Sequence, residues 1–489
     1  MKIYNGYKRL ARNYSLLTDE YEYTMSTGYL MNGMKGQEAV FDLFFRKIPN
    51  EGGYAIMAGL DKVISFIENF HFEDDNLKYF KDKGYPKEFI HYLKSFKFHG
   101  DIYAVIDGTP VFPNEPLITV KAPIIEAQIL ETGLLSIING AMEHATAARR
   151  IIEATPKTVG VMEFGARRAD GMEAAIDASI YGVMAGCMGT SNVLAARMMN
   201  QKALGTMAHS WVESFENELD SFIAYAKTYP NNCILLVDTY DTLRSGIPNA
   251  IKTFKYMQEN NLPLDNIGIR IDSGDLAYLS REARRMFDDA GFLNAKICLS
   301  SGLDAETIES LIIQGASFNS LGVGDNISKP NGRMGCVYKE VAIMRNNKWY
   351  PTIKLSNDTE KITNPGFKDL YRAYDKNTGY ALADIMTLKD MKINNDNLEI
   401  VSPKNALKRK IIDNFELVKL QKPIFINGKL VYKDPDIMKK QKYCDKLMKK
   451  LYPEIKRTKM PHEYYVDGTV EYVKMKNDLI IKTKESINK

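Results

Sequence analysis

Residues 267–275 of this 489-residue chain read Ile-Gly-Ile-Arg-Ile-Asp-Ser-Gly-Asp, and they decide its fold class. A short apolar run ends here in a group of polar side chains around Asp272, and a helical pattern over 276–290 follows at once. A buried strand that ends in polar residues and leads into a helix is the repeating unit of α/β proteins. We therefore predict a parallel strand over 267–272 with functional side chains at its carboxyl end.

The same unit recurs along the middle of the chain. Seven short apolar runs end in polar or small residues, and they lie at 158–163, 185–189, 205–209, 233–238, 267–272, 296–300 and 317–322. Helical patterns are also clear at 247–260 and 304–314. Such alternation implies parallel strands with right-handed crossovers. We predict the α/β class, with an irregular TIM-like α/β barrel over 141–345.

The regions on either side of this barrel have a different texture. Residues 1–140 combine amphipathic helical patterns at 61–97 with short apolar runs that Pro and Gly interrupt, which predicts an N-terminal α+β domain. Residues 346–489 form a C-terminal extension, which begins with a predicted strand at 348–355. Its last part is basic, because residues 401–489 hold 22 Lys and Arg against 11 Asp and Glu. We interpret that charge as a solvated face.

Composition excludes several classes of protein. Hydrophobic residues make up 45% and charged residues 26%, as in ordinary soluble domains, so disorder cannot dominate. The net charge of +4 gives no reason to expect binding to nucleic acid or to a membrane. Five scattered cysteines without a CxxC pair predict neither a zinc site nor a disulfide framework. With no apolar core in Met1–Gly6, we expect a cytoplasmic protein.

Polar residues at the predicted strand ends are the candidates for chemistry, because the loops there converge on one face of a barrel. Arg270 beside Asp272 and Asp275 suits a substrate with anionic and hydroxyl groups. A purely structural alternative makes Asp275 a helix N-cap and places Arg270 in an ion pair, although capping and function are compatible for Asp275. His209 stands at the end of another run, where it can act as acid, base or nucleophile.

Two glycine-containing loops follow the last two predicted strands. Ser300-Ser301-Gly302 and Gly322-Val323-Gly324 allow backbone N–H groups to approach an anion closely. The late loops of such barrels are the usual phosphate site, so we predict phosphate binding there. The alternative is that these glycines only form tight turns. No Walker A or GxGxxG pattern occurs, which disfavours a P-loop or Rossmann site.

Together these residues resemble the nicotinate phosphoribosyltransferase family, a group of type II phosphoribosyltransferases. The matching stretches occur in family order and include Leu16–Tyr21, Phe41–Lys47, Gly53–Leu60, Glu163–Arg168, Gly205–Ser210, Val237–Asp241, Arg270–Asp275 and Gly322–Gly324. They extend over about two thirds of the chain, and the ordered set is far more specific than any one motif.

The resemblance implies a reaction as well as the fold predicted above. Nicotinate and 5-phosphoribosyl 1-pyrophosphate (PRPP) would give nicotinate mononucleotide and pyrophosphate in NAD salvage, with ATP hydrolysed to ADP and phosphate. It also implies a Mg²⁺ ion and a homodimer with a shared active site. Competing possibilities are a nicotinamide or quinolinate phosphoribosyltransferase, and a catalytically silent nucleotide-binding relative.

The resemblance assigns roles to individual residues. Phe164 would stack on the pyridine ring, and Tyr21 from the partner subunit would cover its other face. Thr206 and Arg270 would contact nicotinate. His209 would be the histidine that ATP phosphorylates.

Further residues would serve the phosphoribosyl group. Asp272 and Asp275 would act in catalysis and hold Mg²⁺. PRPP and its phosphate would contact Arg167, Ser301, Gly302, Gly322 and Gly324. Arg168 is a further candidate. Asp325 stands where many relatives have Thr, and its charge beside a phosphate is unfavourable unless it points away or binds Mg²⁺.

One further position bears on substrate choice. Related nicotinamide enzymes have an acidic residue where this chain has Ser191. A carboxylate there would repel nicotinate, so Ser191 favours the acid over the amide.

Overall fold

The computed structural model describes residues 13–356, 362–394 and 397–487. The stretch Met1–Gly6 lies outside these residues. The chain divides into two compact units. Unit 1 is residues 144–331, and unit 2 consists of the described residues before 144 and after 331.

In chain order the strands are β1 Glu38–Phe44, β2 Ala55–Ile56, β3 Asp101–Val105, β4 Pro110–Val111, β5 Ile118–Pro123, β6 Gly160–Glu163, β7 Gly189–Thr190, β8 Cys233–Leu236, β9 Ile267–Ile271, β10 Lys296–Ser300, β11 Ser320–Val323, β12 Val337–Arg345, β13 Lys348–Pro351, β14 Lys368–Asp375, β15 Ala381–Leu388, β16 Asn397–Val401, β17 Arg409–Asp413, β18 Phe415–Lys419, β19 Gln421–Ile426, β20 Lys429–Leu430 and β21 Val466–Thr469.

The α-helices are α1 Glu20–Met31, α2 Leu60–Glu68, α3 Asp74–Asp82, α4 Lys87–Lys94, α5 Ile124–Gln128, α6 Glu131–Ala154, α7 Met172–Ala185, α8 Val193–Met198, α9 His209–Glu213, α10 Glu218–Thr228, α11 Ile247–Glu259, α12 Leu276–Asp289, α13 Ala305–Ile313, α14 Asp325–Ser328, α15 Ile437–Met448 and α16 Val470–Ile487.

Unit 1 is built on one six-stranded parallel sheet in the order β7-β6-β11-β10-β9-β8. The sheet curls into a half-barrel, and helices connect most of its strands, so the predicted α/β class is confirmed. Because all six strands are parallel, their carboxyl ends lie along the same edge of the sheet. This edge positions the candidate site.

The central unit β9–α12 follows directly from its residues. The apolar side chains of β9 are buried, as expected for a parallel strand covered on both faces. A Cβ atom at Gly268 would lie 2.4 Å from the Lys296 carbonyl oxygen, so only glycine allows this close approach of β10. Asp275 then starts α12, since its carboxylate accepts the backbone N–H of Tyr278 at 3.0 Å.

The strand predicted over 205–209 is wrong. Residues 201–208 have no regular structure, and His209 is the first residue of α9. Gly205 and Thr206 interrupt its apolar residues, so the segment lacks the continuous apolar run of a strand that is buried on both faces, and only Met207 of 201–208 is buried. The sheet of unit 1 therefore has six strands where the sequence pattern predicts seven.

Unit 2 combines residues from both ends of the chain. Its largest sheet has the order β13-β12-β1-β5-β3-β19-β20, so N-terminal and C-terminal strands pair within it. A second sheet has the order β17-β16-β21-β15-β14-β18. One hydrophobic core includes side chains from Tyr23 to Val473. The first and third regions distinguished in the sequence thus contribute to one folding unit.

Two further observations concern the whole described chain. All five cysteines are buried. Within the described ranges, no helix combines the length and the apolar composition needed to cross a membrane.

Candidate active site

A cavity of about 160 Å³ opens at the carboxyl edge of the unit 1 sheet. The segments that follow β6, β9, β10 and β11 line it. Ten of the residues singled out in the sequence meet here: Phe164, Arg167, Arg168, Arg270, Asp272, Ser301, Gly302, Gly322, Gly324 and Asp325. Ser300, Leu303 and Asn326 complete the lining.

An aromatic ring forms one wall of this cavity and rests on a glycine. Phe164 follows β6, and Gly322 lies in the neighbouring strand β11. A Cβ atom at Gly322 would lie 2.6 Å from Cδ2 of Phe164, well inside van der Waals contact. The Phe164 ring can approach β11 this closely only because Gly322 has no side chain. The ring of Phe164 is half-buried and offers a flat apolar surface.

Three arginines bring positive charge to the cavity. Arg167 and Arg168 lie in a turn after Phe164 and are exposed. Arg270 lies on β9, and its Nε atom is buried without a hydrogen-bond partner among the described residues. An unpaired buried guanidinium N–H is costly, so it marks a position where a bound acceptor would be stabilising.

Asp325, the departure from the family pattern, is paired. Its carboxylate lies 3.3 Å from Nε of Arg168, and both side chains are more than half exposed. The ion pair offsets the negative charge that would otherwise face a bound phosphate. It also reduces the charge that Arg168 offers to such a phosphate.

The two predicted phosphate loops differ in backbone conformation. Ser301 has φ +99° and Gly302 has φ +59°, so two consecutive residues adopt left-handed backbone. This conformation is costly for serine, and such strain is concentrated at functional sites. Gly324, in the other loop, has φ −106° and open space around it, with the nearest atom to an added Cβ at 3.6 Å.

Asp272 is the centre of a polar network. Its Oδ1 accepts the Ser300 hydroxyl at 2.5 Å, and its backbone N–H donates to Asp238 at 3.0 Å. Its Oδ2 lies 3.9 Å from Nε2 of His209. The other ring nitrogen of His209, Nδ1, is 3.1 Å from the Thr239 hydroxyl. The network holds the imidazole beside the carboxylate and leaves Nε2 facing it.

Five of the predicted residues do not line the cavity, namely Asp275, Thr206, Ser191, His209 and Tyr21. The carboxylate of Asp275 caps α12 through Oδ1 and is exposed, so the predicted cap is present. Thr206 makes a hydrogen bond at 3.3 Å to the carbonyl of Met207 beside it. Ser191 follows β7, and its backbone N–H donates to the Glu163 carbonyl at 2.9 Å.

Tyr21 belongs to unit 2, where it lies on α1 with its side chain 44% exposed. Partial burial and the nearby Glu131 carboxylate, to which the hydroxyl is hydrogen-bonded, raise the pKa of this tyrosine. The phenol therefore stays protonated, and the ring presents an uncharged aromatic surface to solvent.

Unit 2 contains a larger cavity of about 900 Å³ that the sequence did not reveal. Six lysines and arginines line it, namely Arg46, Lys47, Lys404, Lys408, Arg409 and Lys410. Nε of Arg46 is buried with no hydrogen-bond partner among the described residues. Three carboxylates, Glu51, Glu463 and Asp467, line the same cavity, so it keeps an excess of positive charge. Part of the basic C-terminal charge, interpreted above as a solvated face, therefore lines a concave surface that attracts anions.

Several residues of the site were not assigned from sequence. Ser300 and Asp238 end predicted strands and Thr239 follows one, so their positions indicated that they lie near the site. Nothing in the sequence showed which residues they would bond to. Asn326 donates to the Leu303 carbonyl at 2.9 Å and links the two glycine loops. In the described ranges, no group of three or more His, Cys, Asp or Glu side chains could hold a metal by itself.

Comparison with known proteins adds to this geometry. Models of the nicotinate phosphoribosyltransferase family match residues 159–384, with its N-terminal domain matching 16–139 and its C-terminal domain 367–476. The chain is 41% identical over 457 residues to a nicotinate phosphoribosyltransferase of Bacillus subtilis, covering 93% of this chain and 92% of that one. A Caenorhabditis elegans nicotinate phosphoribosyltransferase is 34% identical, covering 85% and 84%.

A solved structure shares the fold. The human nicotinic acid phosphoribosyltransferase superposes with a TM-score of 0.83 at 26% identity, covering 94% of this chain and 99% of that one.

Proposed function

The chain belongs to the nicotinate phosphoribosyltransferase family and functions in NAD biosynthesis, and we propose that it performs the complete ATP-coupled reaction. The ring nitrogen of nicotinate attacks C1 of PRPP, the bond from C1 to the pyrophosphate oxygen breaks, and nicotinate mononucleotide and pyrophosphate leave. ATP is hydrolysed to ADP and phosphate in the same cycle.

The observation that carries this proposal is that one cavity combines an aromatic wall with loops that bear positive charge. Phe164 stacks on the flat pyridine, which needs little polar contact. Arg270 binds the nicotinate carboxylate through its guanidinium, whose buried Nε has no hydrogen-bond partner among the described residues. Arg167 and the loop at Ser301 bind the phosphates. Fixed cations beside the leaving pyrophosphate stabilise the charge that develops on it as the C1 bond breaks.

Asp272 fits a Mg²⁺ site at the cavity, whereas Asp275 lies outside the cavity lining. Mg²⁺ is usually held by one or two carboxylates together with substrate phosphates, so the Asp272 carboxylate at the cavity wall is sufficient protein ligation. Oδ1 of Asp275 caps α12, which leaves its second oxygen, so the cap does not exclude a role with Mg²⁺. A bound Mg²⁺ would neutralise pyrophosphate charge.

We propose that ATP phosphorylates His209 at Nε2. Thr239 holds Nδ1 of the ring, so Nε2 is the nitrogen left to attack the terminal phosphorus of ATP. ADP leaves, and water later takes the phosphoryl group as inorganic phosphate. The charge added to His209 changes the affinity of the cavity for anionic substrates and products, which couples ATP to a transfer that does not itself consume it.

We further propose a homodimer in which unit 2 of one subunit completes the site of the other. Tyr21 with its exposed ring would cover the second face of the pyridine. The basic cavity of unit 2 would supply cations for ATP or pyrophosphate. Sedimentation should then show a dimer, and a fully active monomer would contradict the shared site.

One assay tests the reaction. Purified protein is incubated with PRPP and nicotinate, nicotinamide or quinolinate, with and without ATP, and mononucleotide is measured. We expect turnover of nicotinate and stimulation by ATP that the His209→Ala variant loses. Product from nicotinamide but not nicotinate would overturn the substrate assignment. Persistent stimulation of the variant would overturn the phosphohistidine.

A further inference from the structure

Glu163 is the last residue of β6 and is completely buried, yet it does not line the active-site cavity. Among the described residues, no lysine or arginine forms an ion pair with it. Burying a carboxylate without a counter-ion costs free energy unless strong hydrogen bonds satisfy it. Its two oxygens are used for such bonds, one to the Phe164 segment, which lines the cavity, and one to the adjacent segment of Thr190 and Ser191.

The first bond fixes the Phe164 segment. Oε1 of Glu163 accepts the backbone N–H of Gly165 at 2.5 Å. The backbone N–H of Phe164, between these two residues, donates to the Val323 carbonyl of β11 at 2.7 Å. The backbone on both sides of the aromatic ring is therefore held, and the ring is pressed against Gly322.

The second bond fixes the Ser191 segment. Oε2 of Glu163 accepts the Thr190 hydroxyl at 2.5 Å, and that hydroxyl oxygen in turn accepts the Asn192 N–H at 3.0 Å. The N–H of Ser191 donates to the main-chain carbonyl of Glu163 itself. Asn192 continues the chain of contacts, since its side chain caps α8 by accepting the Ala195 N–H.

Only a carboxylate satisfies this arrangement. The Thr190 hydroxyl donates its one proton to Glu163 while its oxygen accepts from Asn192, and the Gly165 N–H can only donate. Glu163 therefore accepts on both sides. A glutamine would present an NH₂ group to one of these donors and leave a buried proton without an acceptor.

We propose that Glu163 is a positioning residue for the pyridine base. Its carboxylate locks the segment that carries Phe164, on the cavity wall, to the adjacent segment that carries Ser191. It thereby holds both the stacking ring and the position predicted to favour nicotinate over nicotinamide. The inference rests on the proposed function, because it assumes that the base stacks on Phe164 and lies within reach of Ser191.

The test compares Glu163→Gln and Thr190→Val with two controls. Thr190→Ser keeps the hydroxyl, and Glu173→Gln changes an exposed carboxylate on α7. Each variant is assayed for kcat and for KM of nicotinate and of PRPP, and for the ratio of kcat/KM for nicotinate to that for nicotinamide. Thermal unfolding of the same preparations separates loss of fold from loss of positioning.

We expect the first two variants to raise KM for nicotinate about ten-fold and to lower the selectivity ratio, since a displacement near 1 Å at a positioning group costs up to roughly 10²-fold. KM for PRPP should change little, and both controls should behave as the parent. The double variant should be no worse than either single one. If Glu163→Gln does not fold, Thr190→Val alone carries the test.

If the parent enzyme is active and the folded Glu163→Gln and Thr190→Val variants keep its KM for nicotinate and its selectivity, the positioning role alone is overturned. An unmodified protein that turns over no pyridine base would instead overturn the proposed function and this inference with it.

Discussion

Gly322→Ala is the substitution whose outcome follows most directly from the structure. The added Cβ would lie 2.6 Å from Cδ2 and 2.7 Å from Cε2 of Phe164, with Cβ of Ser300 at 3.4 Å. Carbon atoms prefer separations of about 3.5–4.0 Å, so the ring must move by roughly 1 Å. The backbone N–H of Phe164 is bonded to β11, which prevents the loop from following freely.

The magnitude has two parts. Overpacking of this kind lowers the free energy of unfolding by about 1–3 kcal/mol. The displaced ring then misplaces the base, and we expect kcat/KM for nicotinate to fall roughly 10- to 100-fold. KM for PRPP should change less, because Arg167 and the loop at Ser301, which carry most of the proposed phosphate contacts, stay in place. Steady-state kinetics with each substrate varied, together with urea unfolding, measures both parts.

A matched variant and a double variant make the test specific. Gly324→Ala lies two residues away, and its new Cβ has no atom closer than 3.6 Å, so it should leave the ring in place and affect nicotinate far less. In a Phe164→Leu background the clash is relieved, and Gly322→Ala should add little further loss. An equal rise in KM for nicotinate from both glycine variants, or full additivity with Phe164→Leu, would contradict this steric explanation.

Three further predictions concern other sites. Ser301→Gly should raise the free energy of unfolding by about 1 kcal/mol in urea titrations, because it relieves the left-handed backbone at φ +99°; loss of stability would contradict it. Asp325→Asn should lower KM for PRPP roughly two- to five-fold, because the exposed pair with Arg168 contributes at most about 1 kcal/mol; an increase would mean that this carboxylate helps binding. Burial raises the pKa of Glu22 from its ordinary 4.5 to about 7, so the folded state holds this proton more tightly and loses stability as pH rises through that window. Glu22→Gln should remove about 3 kcal/mol of this loss between pH 4 and pH 8, seen by comparing urea unfolding of the two proteins at each pH.

Much of unit 1 could be predicted because its signals are local. An apolar run bounded by polar residues predicted β9 to within a residue, and Asp275 predicted the start of α12 through its cap. The strand predicted at 205–209 was wrong, because Gly205 and Thr206 interrupt the apolar residues and only Met207 is buried. Most of the candidate site could be listed, because functional residues follow parallel strands at their carboxyl ends.

The fold class, the family and the residue types available to the site can be established from the sequence alone. The contacts among these residues appear only in the folded chain: Phe164 rests on Gly322, Asp325 pairs with Arg168, Glu163 joins two loops, and basic C-terminal residues line a cavity. Strands, helices and caps depend on neighbours in the chain, which a sequence displays. Contacts between distant segments depend on strand order and register, such as the pairing of β6 with β11, and these are set by packing across the whole sheet.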